Sequence, residues 1–296
     1  MTAFSAARPV LLLLVLASIW SSSFAVIKIG VETLPPMTLA ASRITLAAVV
    51  LYGYTLFNSM PIPRDRKFWV LVFLIGVFGN GLPFTLIGWG EQTIDSGLAA
   101  ILMAVMPLTT VLLVHVFSSD ERLTPQKLAG ILVGFGGVIV LVGPEALEYL
   151  GGDALRQIAV ACGAFSYAIA TTIAKNLPRL HPAVSGSGVM VMGALQMITL
   201  SIIFDQPWLL TPSRVSWAAA VYLGLFPTAL ATFLYFHLLQ IRGATFISFN
   251  NYIIPGLGVL WGVVFLNEHV SIQEFIALGL ILSGIAIASI KGQRAS

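Results

Sequence analysis

Charge and cysteine are what this sequence has least of. Of its 296 residues only 9% are charged and 58% are hydrophobic, and the mean hydropathy is +0.96. Soluble domains contain about 25% charged and roughly 45–50% apolar residues, so a soluble fold of this length could not bury the excess. The single cysteine, Cys162, lies inside an apolar stretch, which excludes disulfides within the chain and cysteine metal sites. The composition therefore predicts an integral membrane protein.

Several signatures of chemistry are also missing. The chain has no G-x-x-x-x-G-K-[ST] phosphate loop, so we expect neither an ATPase activity nor an ATPase subunit. The motifs H-E-x-x-H and G-x-S-x-G are absent, and no pair of aspartates lies inside an apolar stretch. Basic residues do not cluster beyond positions 64–67, which argues against a nucleic-acid partner. We expect no enzyme activity, no cofactor and no metal; the partners should be the lipid bilayer and a small-molecule substrate.

Ten apolar segments lie between charged or Pro/Gly-rich breaks, and each is about long enough to cross a bilayer as a helix. We number them 1 to 10; they cover residues 9–29, 35–57, 68–89, 96–117, 126–143, 155–175, 182–204, 215–239, 244–266 and 272–290. The predicted fold class is an all-α integral membrane protein with ten transmembrane helices. Of the Lys and Arg residues outside the segment interiors, eleven fall on one side of the membrane and three on the other. The positive-inside rule then places both termini in the cytoplasm.

The two halves of the chain resemble each other at an offset of 147–148 residues. Lys28 matches Lys175 and Pro107 matches Pro255, within a longer run of matched Pro, Trp, Glu and Gln. Each half holds five segments, an odd number, so the second half enters the membrane in the opposite orientation. We therefore predict two inverted repeats, residues 1–146 and 147–296. Many secondary transporters are built in this way, with the substrate site near the midplane between the repeats.

Prolines interrupt four of the segments at similar depth. Pro83 lies in segment 3, Pro107 in segment 4, Pro227 in segment 8 and Pro255 in segment 9. Proline removes a backbone donor and displaces the preceding turn, so each should kink its helix. Simple packing kinks are the alternative, since membrane helices tolerate proline. Four kinks in two repeat-related pairs predict a shared cavity surrounded by segments 1, 3, 4, 6, 8 and 9, with segments 5 and 10 on the outside.

Polar and aromatic side chains near these breaks are the candidates for substrate contact. For each asparagine the competing role is hydrogen bonding between helices, and for each aromatic ring it is packing or lipid contact. The candidate cavity residues are Trp20, Asn80, Phe84, Tyr167, Phe226, Phe249, Asn250 and Tyr252. As a group they suggest a largely apolar pocket for aromatic or hydrophobic solutes.

The charged residues near the segments carry further expectations. No Asp or Glu lies near the centre of a segment, so no proton-coupling carboxylate is visible. Lys28 and Lys175 should reach the membrane interface, although their matched positions also allow gating or contact with a carboxylate. Arg43, inside segment 2, should reach water or a neighbouring helix terminus. Glu268 should be structural, and Ser271 should cap the last helix.

These residues resemble a known family. The stretch from Trp20 to Lys28 is similar to the opening of EamA-type carriers of the drug/metabolite transporter superfamily. Pro107 followed by Glu121-Arg122-Leu123-Thr124 resembles the family's Pro, Glu-[Arg/Pro]-hydrophobic-[Thr/Ser] pattern, and the second half repeats it with Pro255 and Glu268-His269-Val270-Ser271. The resemblance covers essentially the whole chain as two EamA units. It implies a ten-helix, multi-pass carrier of the bacterial inner membrane with both termini cytoplasmic, as a monomer or homodimer.

Within that family the chain is similar to exporters of aromatic amino acids. This implies a secondary transporter that exports small amphiphilic metabolites, such as aromatic or other hydrophobic amino acids, by alternating access. A carrier of another metabolite, such as a purine or nucleoside, stays open. Outside the family the alternatives are a channel or a membrane-embedded enzyme. A channel would need a charged ring or a carbonyl-rich filter, and an enzyme would need a nucleophile or an acid–base pair; neither stands out.

Overall fold

The structure is a computed structural model that describes residues 3–117, 124–142, 153–242, 244–247 and 250–289. Within these ranges all regular secondary structure is helical, and no strand is present. The all-α prediction is confirmed for this part of the chain. Phe249 and Glu121 lie outside the described residues, and so does the side chain of Tyr252.

Every one of the ten apolar segments contains helix. In the part of the chain that the structure describes, segments 1, 2, 5, 6, 7 and 10 each contain one α-helix: Ala3–Gly30, Pro36–Phe57, Pro125–Val142, Asp153–Ala174, Pro182–Leu200 and Ile272–Ser289. Segments 3, 4, 8 and 9 each contain two: Arg66–Gly76 and Leu82–Gly90, Ser96–Leu102 and Val105–Phe117, Arg214–Leu223 and Ala231–Arg242, and Ala244–Ile247 and Asn250–Leu266. Among the described residues, segments 1, 2, 3, 6, 7 and 8 form six helices that are long and apolar enough to cross a membrane. Segments 4, 5, 9 and 10 contain shorter apolar helices.

The outer surface of these helices is apolar, as a hydrocarbon environment requires. Large hydrophobic side chains face outward on many helices; Leu132, Ile203 and Phe265 are examples, each with more than half of its surface exposed. A soluble monomer rarely exposes contiguous apolar surface of this extent. The bilayer, rather than a protein layer, is therefore the partner of these faces.

Segments 3 and 8 absorb their prolines in wide turns. The π-helical turn Val77–Gly81 precedes Pro83, and the π-helical turn Gly224–Leu230 contains Pro227. Proline 227 cannot donate to the carbonyl of Leu223, and the hydroxyl of Thr228 donates to that carbonyl instead, at 2.7 Å. Segment 4 is interrupted just before Pro107, between Leu102 and Val105. In segment 9 the helix continues through Pro255 from Asn250 to Leu266.

Six segments pack in sequence around the bundle. Segment 1 packs on segment 9, segment 9 on 4, segment 4 on 6, segment 6 on 3, and segment 8 on 1. Segments 2 and 7 pack on each other and connect segments 3 and 8. Most of these contacts have a counterpart with the halves exchanged: segment pair 1 and 9 corresponds to 6 and 4, pair 1 and 8 to 6 and 3, and pair 2 and 8 to 7 and 3.

Segments 5 and 10 form a tight helix pair through glycine. A Cβ atom built on Gly284 would lie 2.5 Å from the carbonyl oxygen of Gly130 and 2.6 Å from the Cα of Gly134. A Cβ on Gly137 would lie 2.8 Å from the side chain of Ile281. Small residues let two backbones approach closely in a membrane. Gly130, Gly134, Gly137 and Gly284 therefore allow segments 5 and 10 to pack closely.

Candidate functional site

Arg43 of segment 2 is buried between the broken segments 3 and 8. The residue is only 4% exposed. Its Nε donates to the Thr228 hydroxyl at 3.1 Å, and its guanidinium carbon lies 3.9 Å from the ring centroid of Phe84. No carboxylate among the described residues forms a salt bridge with it. Of the two expected surroundings of Arg43, water is wrong, because a hydroxyl and an aromatic face take the place of solvent around it. The hydroxyl, that of Thr228, lies within the π-helical turn of segment 8 rather than at a helix terminus.

Aromatic side chains from segments 3 and 6 lie beside this arginine, and one from segment 1 contacts the turn that carries Thr228. The rings of Phe84 and Tyr167 meet edge to face, with centroids 6.4 Å apart. Trp20 donates its indole N–H to the carbonyl oxygen of Pro227 at 3.2 Å, next to Thr228. We call Arg43, Phe84, Tyr167 and Thr228 the Arg43 cluster. The bundle thus brings Phe84 and Tyr167 beside one buried cation, and Trp20 and Pro227 together in the turn that carries its Thr228 partner.

The Arg43 cluster lies inside the bundle rather than at its end. Arg43 is seven residues from the start of its helix at Pro36, and Phe84 is six residues from the end of its helix at Gly90. At 1.5 Å per residue both lie about 10 Å from that end of the bundle. Lys28, the last charged residue of segment 1, lies at the same end, which we call the Lys28 end.

The two candidate asparagines are both buried but differ in their surroundings. Asn80 lies in the π-helical turn of segment 3 at 5% exposure, and its Cβ packs beside Gly193 of segment 7. Asn250 begins a helix of segment 9 at 2% exposure, and within the described part of the chain neither atom of its amide has a hydrogen-bond partner. A buried polar group without a partner costs about 1–3 kcal/mol. The buried amide of Asn250 therefore has hydrogen-bonding groups that no described residue satisfies.

A cleft of about 250 Å³ lies elsewhere, between segments 1, 8 and 9. Its walls are Ser18, Ile19, Ser22, Tyr222, Trp261 and Phe265. Ser22 and Tyr222 share a hydrogen bond of 2.9 Å across it. Of the candidate cavity residues whose side chains the structure describes, none lines this cleft. Phe226 is 43% exposed and packs against Tyr222 with ring centroids 5.2 Å apart, so it lies at the outer surface.

Lys28 connects neighbouring segments at the Lys28 end of the bundle. Its ammonium lies 2.9 Å from Asp95 Oδ1 and 3.5 Å from Glu268 Oε1, and it donates to the carbonyl oxygen of Ile94 at 2.8 Å. We call Lys28, Asp95, Ser96 and Glu268 the Lys28 cluster. It joins segment 1 to the start of segment 4 and to the loop after segment 9. Lys175, its match in the second half, is exposed in the turn after its helix.

Glu268 caps the first helix of segment 4. Its carboxylate accepts hydrogen bonds from the Ser96 amide at 2.8 Å, the Ser96 hydroxyl at 2.9 Å and the Gly97 amide at 3.1 Å. An anion is stabilised there by the free amides and the helix dipole. The expected structural role of Glu268 is confirmed. The expected cap is confirmed too, because Ser271 Oγ accepts from the Glu274 amide at 3.2 Å.

Glu91 is the residue that sequence reasoning missed. It directly follows the helix Leu82–Gly90, yet it is only 1% exposed. Among the described residues neither carboxylate oxygen has a hydrogen-bond partner. Burial raises the pKa of Glu91 well above its usual range; Lys28 and Arg43 oppose this shift, and the nearby Glu268 adds to it. The short connection between segments 3 and 4, only residues 91–95, was the one sequence signal that this side chain would be covered.

Comparison with known proteins places these features in a family context. Residues 7–143 and 156–290 each match the EamA-like transporter family. An Escherichia coli protein named uncharacterized inner membrane transporter YedA is 26% identical over 276 residues, which are 92% of this chain and 87% of that protein. A probable terminal-alkyne amino-acid exporter of Streptantibioticus cattleyicolor is 26% identical over 84% of this chain and 82% of its own length.

Two further likenesses concern substrate and fold. An S-adenosylmethionine/S-adenosylhomocysteine transporter of Chlamydia trachomatis is 26% identical over 90% of this chain and 85% of its own length. A solved crystal structure superposes with a TM-score of 0.68 at 23% identity, covering 95% of this chain and 97% of that chain. This last likeness shows that the fold is shared.

Proposed function

The chain belongs to the EamA-like transporter family and is a multi-pass membrane transporter, and from this premise we propose that it exports small amphiphilic metabolites that carry a carboxylate, aromatic amino acids above all. The observation that carries the proposal is Arg43, a buried guanidinium that lacks a carboxylate partner among the described residues. Charged residues inside membrane segments are expensive, and they mark substrate pathways by default.

The Arg43 cluster offers the two surfaces that such a solute needs. Of the five N–H groups of the guanidinium, only the one on Nε meets an acceptor in the described part of the chain. The terminal nitrogens form a fork that fits a carboxylate through two parallel hydrogen bonds. The rings of Phe84 and Tyr167 stand beside this fork and would pack against an apolar or aromatic side chain.

Two of the relatives support a solute of this chemistry. One is named as an amino-acid exporter and the other as a transporter of S-adenosylmethionine and S-adenosylhomocysteine. Amino acids and both adenosyl compounds share an α-amino carboxylate. A purine or nucleoside, which lacks the carboxylate but could stack on the same rings, is the second candidate. S-adenosylmethionine and S-adenosylhomocysteine both contain adenosine, and this supports a nucleoside as the second candidate substrate.

For the architecture we propose ten transmembrane helices as two inverted repeats, residues 1–146 and 147–296. The packing of segments supports this arrangement, because most contacts between segments recur with the two halves exchanged. The matched π-helical turns of segments 3 and 8 support it as well. Alternating access would then come from rocking of the repeats about a site between segments 1, 3, 4, 6, 8 and 9.

We place the protein in the cell inner membrane with both termini cytoplasmic, on the charge distribution of the loops and the inner-membrane name of the YedA relative. A single chain or a homodimer in the bilayer would suffice, without an ATPase subunit. The Arg43 cluster offers no nucleophile with an adjacent base, so this arrangement favours transport over catalysis.

The test is counterflow of labelled phenylalanine, threonine and adenosine in proteoliposomes. Arg43→Met keeps the length of the side chain and removes the charge; Arg214→Met removes an exposed arginine and is the matched control. Loss of a charge-assisted hydrogen bond of about 1.5–3 kcal/mol should weaken the apparent affinity for phenylalanine by roughly 10–150-fold in R43M. R214M should resemble the wild type.

Two results would contradict the proposal. If R43M carried phenylalanine as well as the wild type, Arg43 would have no part in substrate binding. If adenosine alone moved, the carrier would belong to the second candidate class.

A further inference from the structure

Glu91 has no role in the site described so far, and its surroundings are unusual for a carboxylate. It lies at the Lys28 end, 1% exposed, directly after the helix that carries Phe84. We propose that Glu91 binds a proton while the Lys28 end is closed, and that opening of this end releases the proton. The inference rests on the proposed transport function: Glu91 would take up the proton from the opposite side of the membrane while the Lys28 end is closed and release it through that end when it opens, so that the proton crosses together with the exported solute.

The charged groups nearby come from several neighbouring elements. They are Lys28 of segment 1, Arg43 of segment 2, Arg156 of segment 6, Asp95 of the adjoining loop and Glu268 of the loop after segment 9. Most of them already have partners. Arg156 donates to the carbonyl oxygen of Trp89 and to Gln92 Oε1, and its guanidinium stacks on the Trp89 ring at 3.8 Å.

The Lys28 ammonium is already engaged by other carboxylates, and Arg43, the second cation that acts on Glu91, forms no salt bridge with it among the described residues. The Lys28 ammonium faces Asp95 at 2.9 Å and Glu268 at 3.5 Å, so one cation is shared by two carboxylates. A third ionised carboxylate would be repelled by Glu268, and it would lack the hydrogen bonds that stabilise a buried anion. The same burial raises the pKa of Glu91 well above its usual range. A neutral, protonated Glu91 fits the closed arrangement.

Opening of the Lys28 end would reverse this preference. Separation of Lys28 from Glu268 would admit water to the residues beneath them, and an ionised Glu91 could then be solvated or could pair with the freed ammonium. The closed form thus binds one proton more than the open form at this residue. Lower pH should favour the closed form, since a state that binds more protons gains stability as pH falls.

The first measurement detects the proton directly and needs no substrate. Infrared spectra of the purified protein in lipid should show the C=O stretch of a protonated carboxylic acid at neutral pH, and Glu91→Gln should remove it. Glu32→Gln is the matched control, because Glu32 is an exposed carboxyl in the loop after segment 1. E32Q should keep the band. A wild-type spectrum without the band, or a band that survives in E91Q, would overturn the proposal.

The second measurement follows protons during transport. A pH-sensitive dye inside proteoliposomes reports proton movement when labelled phenylalanine is added outside, and the quantity compared is protons moved per phenylalanine. We expect the wild type and E32Q to move a constant number of protons per phenylalanine. In E91Q, proton movement should fall to the level seen in protein-free liposomes. Wild-type phenylalanine movement without protons would overturn the coupling and leave the proposed function standing. If no carboxylate solute moved, the proposed function would fail, and the infrared band would still decide whether Glu91 holds a proton.

Discussion

Replacement of Glu268 by alanine should loosen the Lys28 end of the bundle. The side chain is 8% exposed, and its carboxylate accepts three hydrogen bonds from Ser96 and Gly97 in addition to its contact with Lys28. In Glu268→Ala the first two amides of the helix Ser96–Leu102 lose their acceptor. Lys28 keeps Asp95, which is half exposed, as its remaining carboxylate partner.

The size of the effect follows from these contacts. A hydrogen bond to a charged group contributes about 1.5–3 kcal/mol, but water at the end of the bundle would replace part of the three bonds to Glu268. Removal of one member of a buried charged pair costs about 3–5 kcal/mol. We therefore expect E268A to lower the free energy of unfolding by about 3 kcal/mol or more. E268Q retains one carbonyl oxygen and should fall between E268A and the wild type.

The assay is unfolding of the purified protein in mixed micelles by increasing fractions of dodecyl sulfate, followed by circular dichroism. Glu274→Ala is the control, because Glu274 bonds Ser271 at the start of the last helix in a position open to solvent. That variant should lose no more than about 1 kcal/mol. Equal losses in E268A and E274A would refute the reasoning, since they would show that the buried contacts of Glu268 contribute nothing beyond an ordinary cap.

Three further predictions concern packing, protonation and the proline turn. Gly284→Ala should lower stability by about 1–3 kcal/mol through collision with the facing backbone, whereas Gly279→Ala, whose Cβ would meet nothing within 4 Å, should be neutral or slightly stabilising in the same unfolding assay. The folded chain holds the Glu91 proton more tightly than the unfolded chain does. Wild-type stability should therefore decline as pH rises above the usual glutamic acid pKa of about 4.3. In melting curves recorded at a series of pH values, E91Q should show a smaller decline. Thr228→Val removes the donor to the Leu223 carbonyl and the acceptor of a guanidinium bond, and it should cost about 1–3 kcal/mol in the unfolding assay; an unchanged midpoint would contradict the role given to this hydroxyl.

The Arg43 cluster was only partly accessible to sequence reasoning. Trp20, Phe84, Tyr167 and Pro227 were selected because aromatic rings and proline stood near breaks. The structure brings Phe84 and Tyr167 to Arg43, and Trp20 and Pro227 to the turn that carries Thr228. The arginine itself was left out, because an apolar segment offers no indication of what a long side chain will meet. Its Thr228 contact joins residues 185 positions apart, and no local pattern encodes such a pair.

Composition and local chemistry determined a large share of the molecule. Apolar segments of this length require helices, because hydrocarbon leaves backbone groups no other partner. Proline positions located the altered turns of segments 3 and 8, and Ser271 located a helix cap, since both effects act within one or two turns of helix. Tertiary structure alone decided which helix ends are buried. Glu91 and Asp95 lie four residues apart in one short connection, yet one is 1% exposed and the other is half exposed with Lys28 bound to it. Exposure at a helix end depends on which other helices cover it, and this is set by the packing of distant segments rather than by the neighbouring residues.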